Sequence, residues 1–579
     1  MASLDEYRAG TGALPKRMLK WRLYGAGLDK LQVEEVDVPS IRPDELLVRQ
    51  DACGLCFSDT KVIALGPDHP RMVGRNMERD PVTLGHEVTC TVVAVGEKLR
   101  DRFKVGDRFI VQADVFYEGV SMAYGYVISG GLAEYSVIPK EMIFGDEGCY
   151  LLPLRPDDGY VETALVEPWA CVVAAYVQGH RPGLKPAGNV LILAGRGAQL
   201  DWTDATAGQA PPAAVYVIGE EAGAFQSVAR GLVDPERVCS LETPAAWKDL
   251  VPYTSGAGFD DIVVAGAVAP EDAEGAATVL ANHGVMAFVG SVRMERKLSL
   301  DIGRIHYNWH HYVGTPTPRV ASAYAEPRGA ELKPGGAAWF IGAGGPMGQM
   351  HVQRAVQIPN PPRLIVATDI DATRLQSVVD RFGAQARDRG IDLVAINPKD
   401  LSPEAFDARL RELTEGRGFD DIVSLVPVPA LIEHATGFLA DGAWFNVFAG
   451  VARGTMANID VNAIRERGVR YVGSSGSAIS DMRTTLEKVE TGELSTNASL
   501  AAVGGMRAAR EGLAAVKDGK FPGKTLVFPL IHDMPLTSLA DLKDIYPTVH
   551  ARLKDGMFWT REAEDELLKV ALLEKEEAK

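Results

Sequence analysis

Between residues 31 and 140 apolar positions come in short runs broken by turn formers: "LQVEEVDVP", "ELLVRQDACG", "HEVTCTVVAVG", "VGDRFIVQA" and "GGLAEYSVIP". Runs of this length, rich in Val, Ile and Thr and bounded by Gly, Pro and Asp, predict strands and a mostly β domain. Further along the pattern changes. An apolar run flows into a glycine-rich turn ("GNVLILAGRGAQ"), a second run follows ("AVYVIG"), and a later one ends in "FVG". The series then returns as "GAAWFIGAGGPMG", "LIVATD" and "VFAG". Strands buried on both faces read as continuous apolar runs, and their alternation with helical stretches predicts parallel βαβ units in a doubly wound sheet.

The return is an internal duplication. "GAGFDDIV" at 256–263 answers "GRGFDDIV" at 416–423, and "HGVMAFVGSV" at 283–292 matches "DGAWFNVFAGV" at 441–451 in character. "HYVG" at 311–314 pairs with "RYVG" at 470–473, and "FQSVARGL" at 225–232 with "LQSVVDRF" at 375–382. Offsets of about 150 to 160 residues relate two whole domains, so two tandem Rossmann-like domains are predicted. The expected organisation is α/β plus mostly-β. It has a β-rich domain at 1–185, Rossmann-like copies at 186–325 and 326–480, and a return to the first domain at 481–579. The closing "REAEDELLKVALLEKEEAK" reads as a charged, solvated amphipathic helix.

A dinucleotide turn needs glycine where the chain bends, approaches the pyrophosphate and packs helix on strand. In the second copy that frame falls on Ala343, Gly345 and Gly348, with Gly342 and Gly344 beside them, so the candidate cofactor residues are Gly344, Gly345, Pro346, Met347 and Gly348. Asp369 follows at the end of the next run, where a carboxylate accepts from a ribose 2′-hydroxyl and repels a 2′-phosphate. NAD(H) is therefore the expected cofactor. The first copy keeps Gly195 and Gly197, but Leu200 takes the third place and Gly219 replaces the acid. It reads as a degenerate, structural copy.

Bulk properties narrow the field. A chain of 579 residues, 46% hydrophobic and 24% charged, has material for several packed cores. A formal net charge of −17 argues against nucleic acid or acidic membrane as partner. No apolar run approaches membrane-spanning length, and the first residues lack a secretory pattern. Six cysteines are too sparse for a disulfide scaffold, so reduced thiols in a cytoplasmic protein are expected.

Residues 53–59 read "CGLCFSD". A redox pair belongs at a helix start within a βαβ unit, whereas this stretch follows a β run. A structural zinc knuckle needs a second cysteine pair, and Cys90, Cys149, Cys171 and Cys239 are all solitary. In order along the chain, "C-x-S-D", "GHE", "VGDR", "GGLAEY" and "ALVEPWA" resemble the zinc-dependent medium-chain alcohol and polyol dehydrogenases. "LVEPWACVVAAY", "GGPMG", "GFDDI" and "FWTREAE" resemble a polyol and sugar-phosphate branch of that family.

The resemblance implies a GroES-like catalytic domain holding one catalytic Zn²⁺. Cys56 and His86 match the family's ligands, and the third ligand is Glu167 of "VEP" or Glu87 of "GHE". Asp59 matches the acid that orients the ligand histidine, and Ser58 the hydroxyl that relays the substrate's proton. Cys53 is then incidental. One thiolate, one imidazole and one carboxylate with an open fourth position are the donor set of a catalytic zinc. Four departures stand out. The family's four-cysteine lobe is absent, Phe57 stands where some relatives carry arginine, Cys90 replaces a glycine, and one Rossmann copy is extra.

The expected function is hydride transfer between NAD(H) and a polyol, sugar or sugar-phosphate hydroxyl or carbonyl. The small-molecule substrate is the one partner this reading requires, and it leaves homo-oligomerisation open. Isomerisation with a permanently bound NAD and a non-catalytic scaffold are the alternatives. Lys61, Arg71, Arg75 and Arg79 are candidates to meet a phosphate. "HYNWHH" at 306–311 looks metal-like, but it is expected at a strand start in the degenerate copy, in a packing role.

Overall fold

The computed structural model describes residues 3–72, 74–219, 229, 232–326, 328–474 and 476–573. Most of "FQSVARGL" and residues 574–579 of the closing stretch lie outside them. Two compact units are present: residues 1–173, 345–350 and 476–579, and residues 174–344 with 351–475. Among the described residues no helix is long and apolar enough to cross a membrane.

The first unit is built on a largely antiparallel sheet. Its strands run Thr537–Ser538, Leu500–Gly505, Lys524–Phe528, Leu46–Leu55, Glu87–Val95, Arg108–Val111 and Leu151–Pro153, and Tyr135–Ile138 also pairs with Leu46–Leu55. All ten positions of Leu46–Leu55 are buried, because strands and helices cover both faces of it. Val48, Val88, Val92 and Phe109 pack there with Leu513 and Val527 from the far end of the sequence. Lys524–Phe528 lies antiparallel to Leu46–Leu55, with Thr525 opposite Leu55 and Val527 opposite Cys53. The late return of the chain thus sets residue 524 beside the start of the C-x-S-D stretch.

The second unit is one continuous twelve-stranded sheet. Its order is Val238–Leu241, Ala214–Ile218, Asn189–Ala194, Phe259–Ala265, Leu280–Val289, His311–Thr315, Arg470–Val472, Leu439–Val447, Phe419–Ser424, Ala337–Ile341, Leu364–Thr368 and Asp392–Ile396. Each half is parallel and runs third, second, first, fourth, fifth, sixth, the Rossmann order. The halves join antiparallel, Tyr312 facing Tyr471. Those two tyrosines occupy the same place in "HYVG" and "RYVG".

A second antiparallel pair, Leu298–Asp301 with Met456–Ile459, sets Leu298 opposite Ile459 and Leu300 opposite Ala457. Corresponding residues meet reciprocally, which is the pattern of a twofold-symmetric interface. Duplication has filled the sheet edge of each copy with the other, and an exposed edge strand is otherwise a site for pairing with foreign chains.

The repeated "GFDDIV" has a structural role that neither copy's sequence discloses. Asp261 accepts from Lys185 N at 2.8 Å and Arg181 at 2.7 Å, and Asp421 accepts from Lys333 N at 2.9 Å and Arg328 at 2.7 Å. Each pair clamps the segment leading into the first strand onto the fourth strand of its own copy. The preceding glycines, Gly258 and Gly418, have φ of +84° and +83°, and a Cβ there would come within 2.6 Å of a carbonyl oxygen. Only glycine tolerates both conditions.

Candidate functional site

Strand Leu46–Leu55 stops just before Cys56, which is the N-cap of helix Phe57–Leu65. The acid at the third helical position holds this start: Cys56 N donates to Asp59 Oδ2 at 3.0 Å. The other oxygen, Oδ1, accepts from Gly85 N at 3.4 Å and stands 3.2 Å from His86 Nδ1, a charge contact rather than an aligned hydrogen bond. One fully buried carboxylate therefore positions both Cys56 and His86. Ser58 Oγ lies 3.3 Å from His86 Nε2. Tyr126, which the sequence did not single out, sets its ring 5.8 Å from the His86 ring. Burial pulls the His86 imidazole down, but the neighbouring Asp59 charge, with Tyr126 beside it, outweighs this and holds it well above its ordinary value.

The ligand atoms of Cys56, His86 and Glu87 all lie within 4.8 Å of one another, and among the described residues no other such trio converges. Glu87 Oε1 accepts from Lys524 Nζ at 2.5 Å, while its Oε2 is buried with no hydrogen-bond partner. An orphaned buried carboxylate oxygen beside a thiol and an imidazole fits Zn²⁺. Glu167 is not one of the trio. It stands on helix Val166–Ala174, anchored by buried Trp169, whose Nε1 donates to Ser499 Oγ at 2.8 Å. Burial pushes the Glu167 carboxyl up to about 7, with His86 pulling it down and Glu87 pushing it up, so it shares the trio's electrostatic surroundings. Lys524 is buried too. Desolvation lowers it, but Glu87, Cys56 and Glu167 together raise it, so it is a permanent cation. Cys53 is buried in the strand interior, and burial raises its thiol well above the ordinary value.

In the second copy, strand Ala337–Ile341 turns through Gly342 to Gly345 into helix Pro346–Gln357, with Met347 and Gly348 in its first turn. Pro346 begins the helix, where a missing N–H removes no bond. Gly342 has φ +83°, and a Cβ would meet Val426 at 2.6 Å. Gly344 N donates to Asp369 Oδ2 at 2.9 Å, and Asp371 N donates to Asp369 Oδ1 at 3.0 Å. Asp369 thus braces the turn from the end of the second strand. A cavity of about 420 Å³ opens beside it, lined by Gly342, Thr368, Asp369, Ile370, Val426 and His434 among others. A dinucleotide's adenosine half needs this combination of acid, apolar walls and glycine turn.

The first copy has a cavity of about 510 Å³ in the matching place, lined by Gly195, Gly219, Glu242 and Asp272 among others. No helix separates its strands Asn189–Ala194 and Ala214–Ile218, and Leu200 packs against that copy's core. Without a helix N-terminus the turn has no aligned N–H groups for a pyrophosphate. "HYNWHH" does not form a metal cluster among the described residues. Its expected position needs correction: His306 lies on helix Ile302–Asn308, Trp309 adopts φ +55°, and only His311 begins a strand. His306, His310 and His311 are all buried.

The sequence profile described as alcohol dehydrogenase GroES-like domain matches residues 42–145. A mannitol-1-phosphate 5-dehydrogenase of Aliivibrio fischeri is 26% identical over 558 residues, covering 94% of this chain and 96% of that protein. An L-sorbose 1-phosphate reductase of Klebsiella pneumoniae is 30% identical over 315 residues, covering 51% of this chain and 74% of that protein. In fold, the chain is similar to the crystal structure of 2R,3R-butanediol dehydrogenase from Bacillus subtilis, with TM-score 0.50, 17% identity, 88% of this chain and 99% of that one. The chain belongs to the zinc-dependent medium-chain dehydrogenase family. Within it the chain is an oxidoreductase whose relatives are alcohol and polyol dehydrogenases.

Proposed function

We propose that the protein is a zinc- and NAD(H)-dependent dehydrogenase that interconverts a hydroxyl and a carbonyl on a polyol, sugar or sugar phosphate. The observation that carries this reading is the convergence of Cys56, His86 and Glu87 within 4.8 Å, with Ser58 Oγ 3.3 Å from His86. Cys56, His86 and one of Glu87 or Glu167 would hold the metal, which when bound polarises a carbonyl or acidifies an alcohol. The chain's own residues supply the rest. Asp59 fixes the imidazole and the cysteine backbone together, and the Ser58 hydroxyl can exchange the substrate's proton. A nicotinamide cofactor, when bound, would supply or accept the hydride.

The second copy is the cofactor half in this reading. Its Gly345–Met350 turn falls in the same compact unit as Cys56 and His86, which supports that assignment, whereas residues 195–200 do not. Two relatives named for sugar phosphates support the substrate class. No observation favours the isomerase or the scaffold.

The test is a screen of zinc-loaded protein against polyols, ketoses and ketose phosphates with NADH and NADPH. Turnover is expected with NADH preferred, and calorimetry is expected to find one nucleotide per chain. Asp369→Ala is expected to narrow the NADH preference by about tenfold, since the lost carboxylate contributes a charge-assisted bond to the ribose. No turnover on any substrate, or a strong NADPH preference in the parent, overturns the reading.

A further inference from the structure

Resting on the sugar-oxidoreductase reading above, we propose that Arg71 is a specificity-determining residue that receives the phosphate ester of the substrate beside the metal site. The segment leading from helix Phe57–Leu65 back to His86 carries several basic residues, and the structure separates them by what they already hold. Arg75 is engaged: its guanidinium donates to the Asp80 backbone and carboxylate and to the carbonyls of Tyr126 and Val127. Arg71 is differently placed. Its guanidinium carbon lies 4.9 Å from the centre of the Tyr126 ring, and that ring is 5.8 Å from the ring of the candidate ligand His86. One buried aromatic ring therefore stands between a guanidinium and the groups that would act on the reacting carbon, and a hexose phosphate places its ester only a few bonds from that carbon.

The side-chain partner of Arg71 is Asp114, at 2.6 Å, and both side chains are about one-third exposed, at 37% and 34%. The Asp114 charge acts on Glu167 and Cys171, so the pair borders the site and not remote surface. A guanidinium held by one carboxylate keeps further N–H donors for a bidentate anion. His69, on the same segment as Arg71 and with its ring centre 5.8 Å from that of Tyr126, lies within the fields of Arg71 and Lys61. An unphosphorylated polyol leaves the Arg71–Asp114 pair intact. A phosphate dianion competes with Asp114 for the guanidinium, and this exchange is the source of discrimination.

Arg71→Met, in zinc-loaded protein, tests it. With L-sorbose 1-phosphate and L-sorbose as matched substrates, the ratio of kcat/KM for phosphorylated over free ketose is expected to fall about 100-fold, the worth of a charge-assisted bidentate contact. Arg71→Lys is expected to restore part of the ratio, since a point charge replaces the fork. An equal loss on both substrates, or an unchanged ratio, overturns the proposal. Calorimetry with inorganic phosphate gives a readout independent of turnover. Binding is expected to weaken at least about tenfold in Arg71→Met at unchanged zinc content. If neither ketose is turned over, the hydride-transfer reading fails and the phosphate titration alone decides: weakened binding upholds the role of Arg71, and equal binding in parent and variant overturns it.

Discussion

His86→Ala is expected to yield folded protein with no bound zinc and with turnover reduced by at least about a thousandfold, and Cys56→Ala to do the same. The reason is the economy of the site. Among the described residues Cys56 and His86 are two of the three donors that converge, and a catalytic zinc with three protein ligands cannot keep its place on two. The parent should contain about one zinc per chain by elemental analysis. Asp59→Asn should give a milder result, weakening metal binding about 10- to 100-fold, because it loosens both ligands without removing either. Two substitutions separate the carboxylates: Glu87→Gln and Glu167→Gln compared for zinc content identify the third ligand. Full zinc occupancy in His86→Ala, or two zinc ions in the parent, would sink this site.

Lys524→Met should be among the most destabilising single substitutions in the first unit. Lys524 Nζ bonds Glu87 at 2.5 Å, both side chains are almost completely buried, and removing one partner strands the other's charge in a low dielectric. Breaking a buried pair in this way costs about 3–5 kcal/mol. Zinc should return part of the loss, since a bound cation compensates Glu87 in place of the ammonium. Denaturant unfolding with and without a chelator measures both effects. Adding Glu87→Gln to Lys524→Met should recover stability, so the two changes are strongly non-additive. A Lys524→Met protein as stable as its parent in the presence of chelator would show that the pair contributes nothing.

How much of this could be read in advance depended on the range of the interaction. The strands, the two nucleotide-type copies and the C-x-S-D and GHE stretches were all legible, because alternation, glycine turns and capping residues act over a few positions. Asp59 could be named as the partner of His86, but not its second bond to the Cys56 backbone, which the helix cap creates. "HYNWHH" misled because spacing alone does not say that a helix end and a left-handed Trp309 separate the histidines.

By itself, then, the chain's pattern determined the fold class, the duplication and the contrast between a glycine frame that is nearly intact and one in which Leu200 and Gly219 replace its parts. The tertiary structure alone decided which distant groups complete the site and how the copies meet. Lys524 reaches Glu87 across 437 residues because strand Lys524–Phe528 adds to the sheet beside Leu46–Leu55. Tyr126 reaches the His86 ring from a loop whose sequence carries no signal for it. The seam at Tyr312 and Tyr471 exists because two duplicated edges are self-complementary when rotated onto one another. Local preference sets which elements form. Which of their side chains become neighbours is set by burial and pairing over the whole chain, and no short window of sequence contains that.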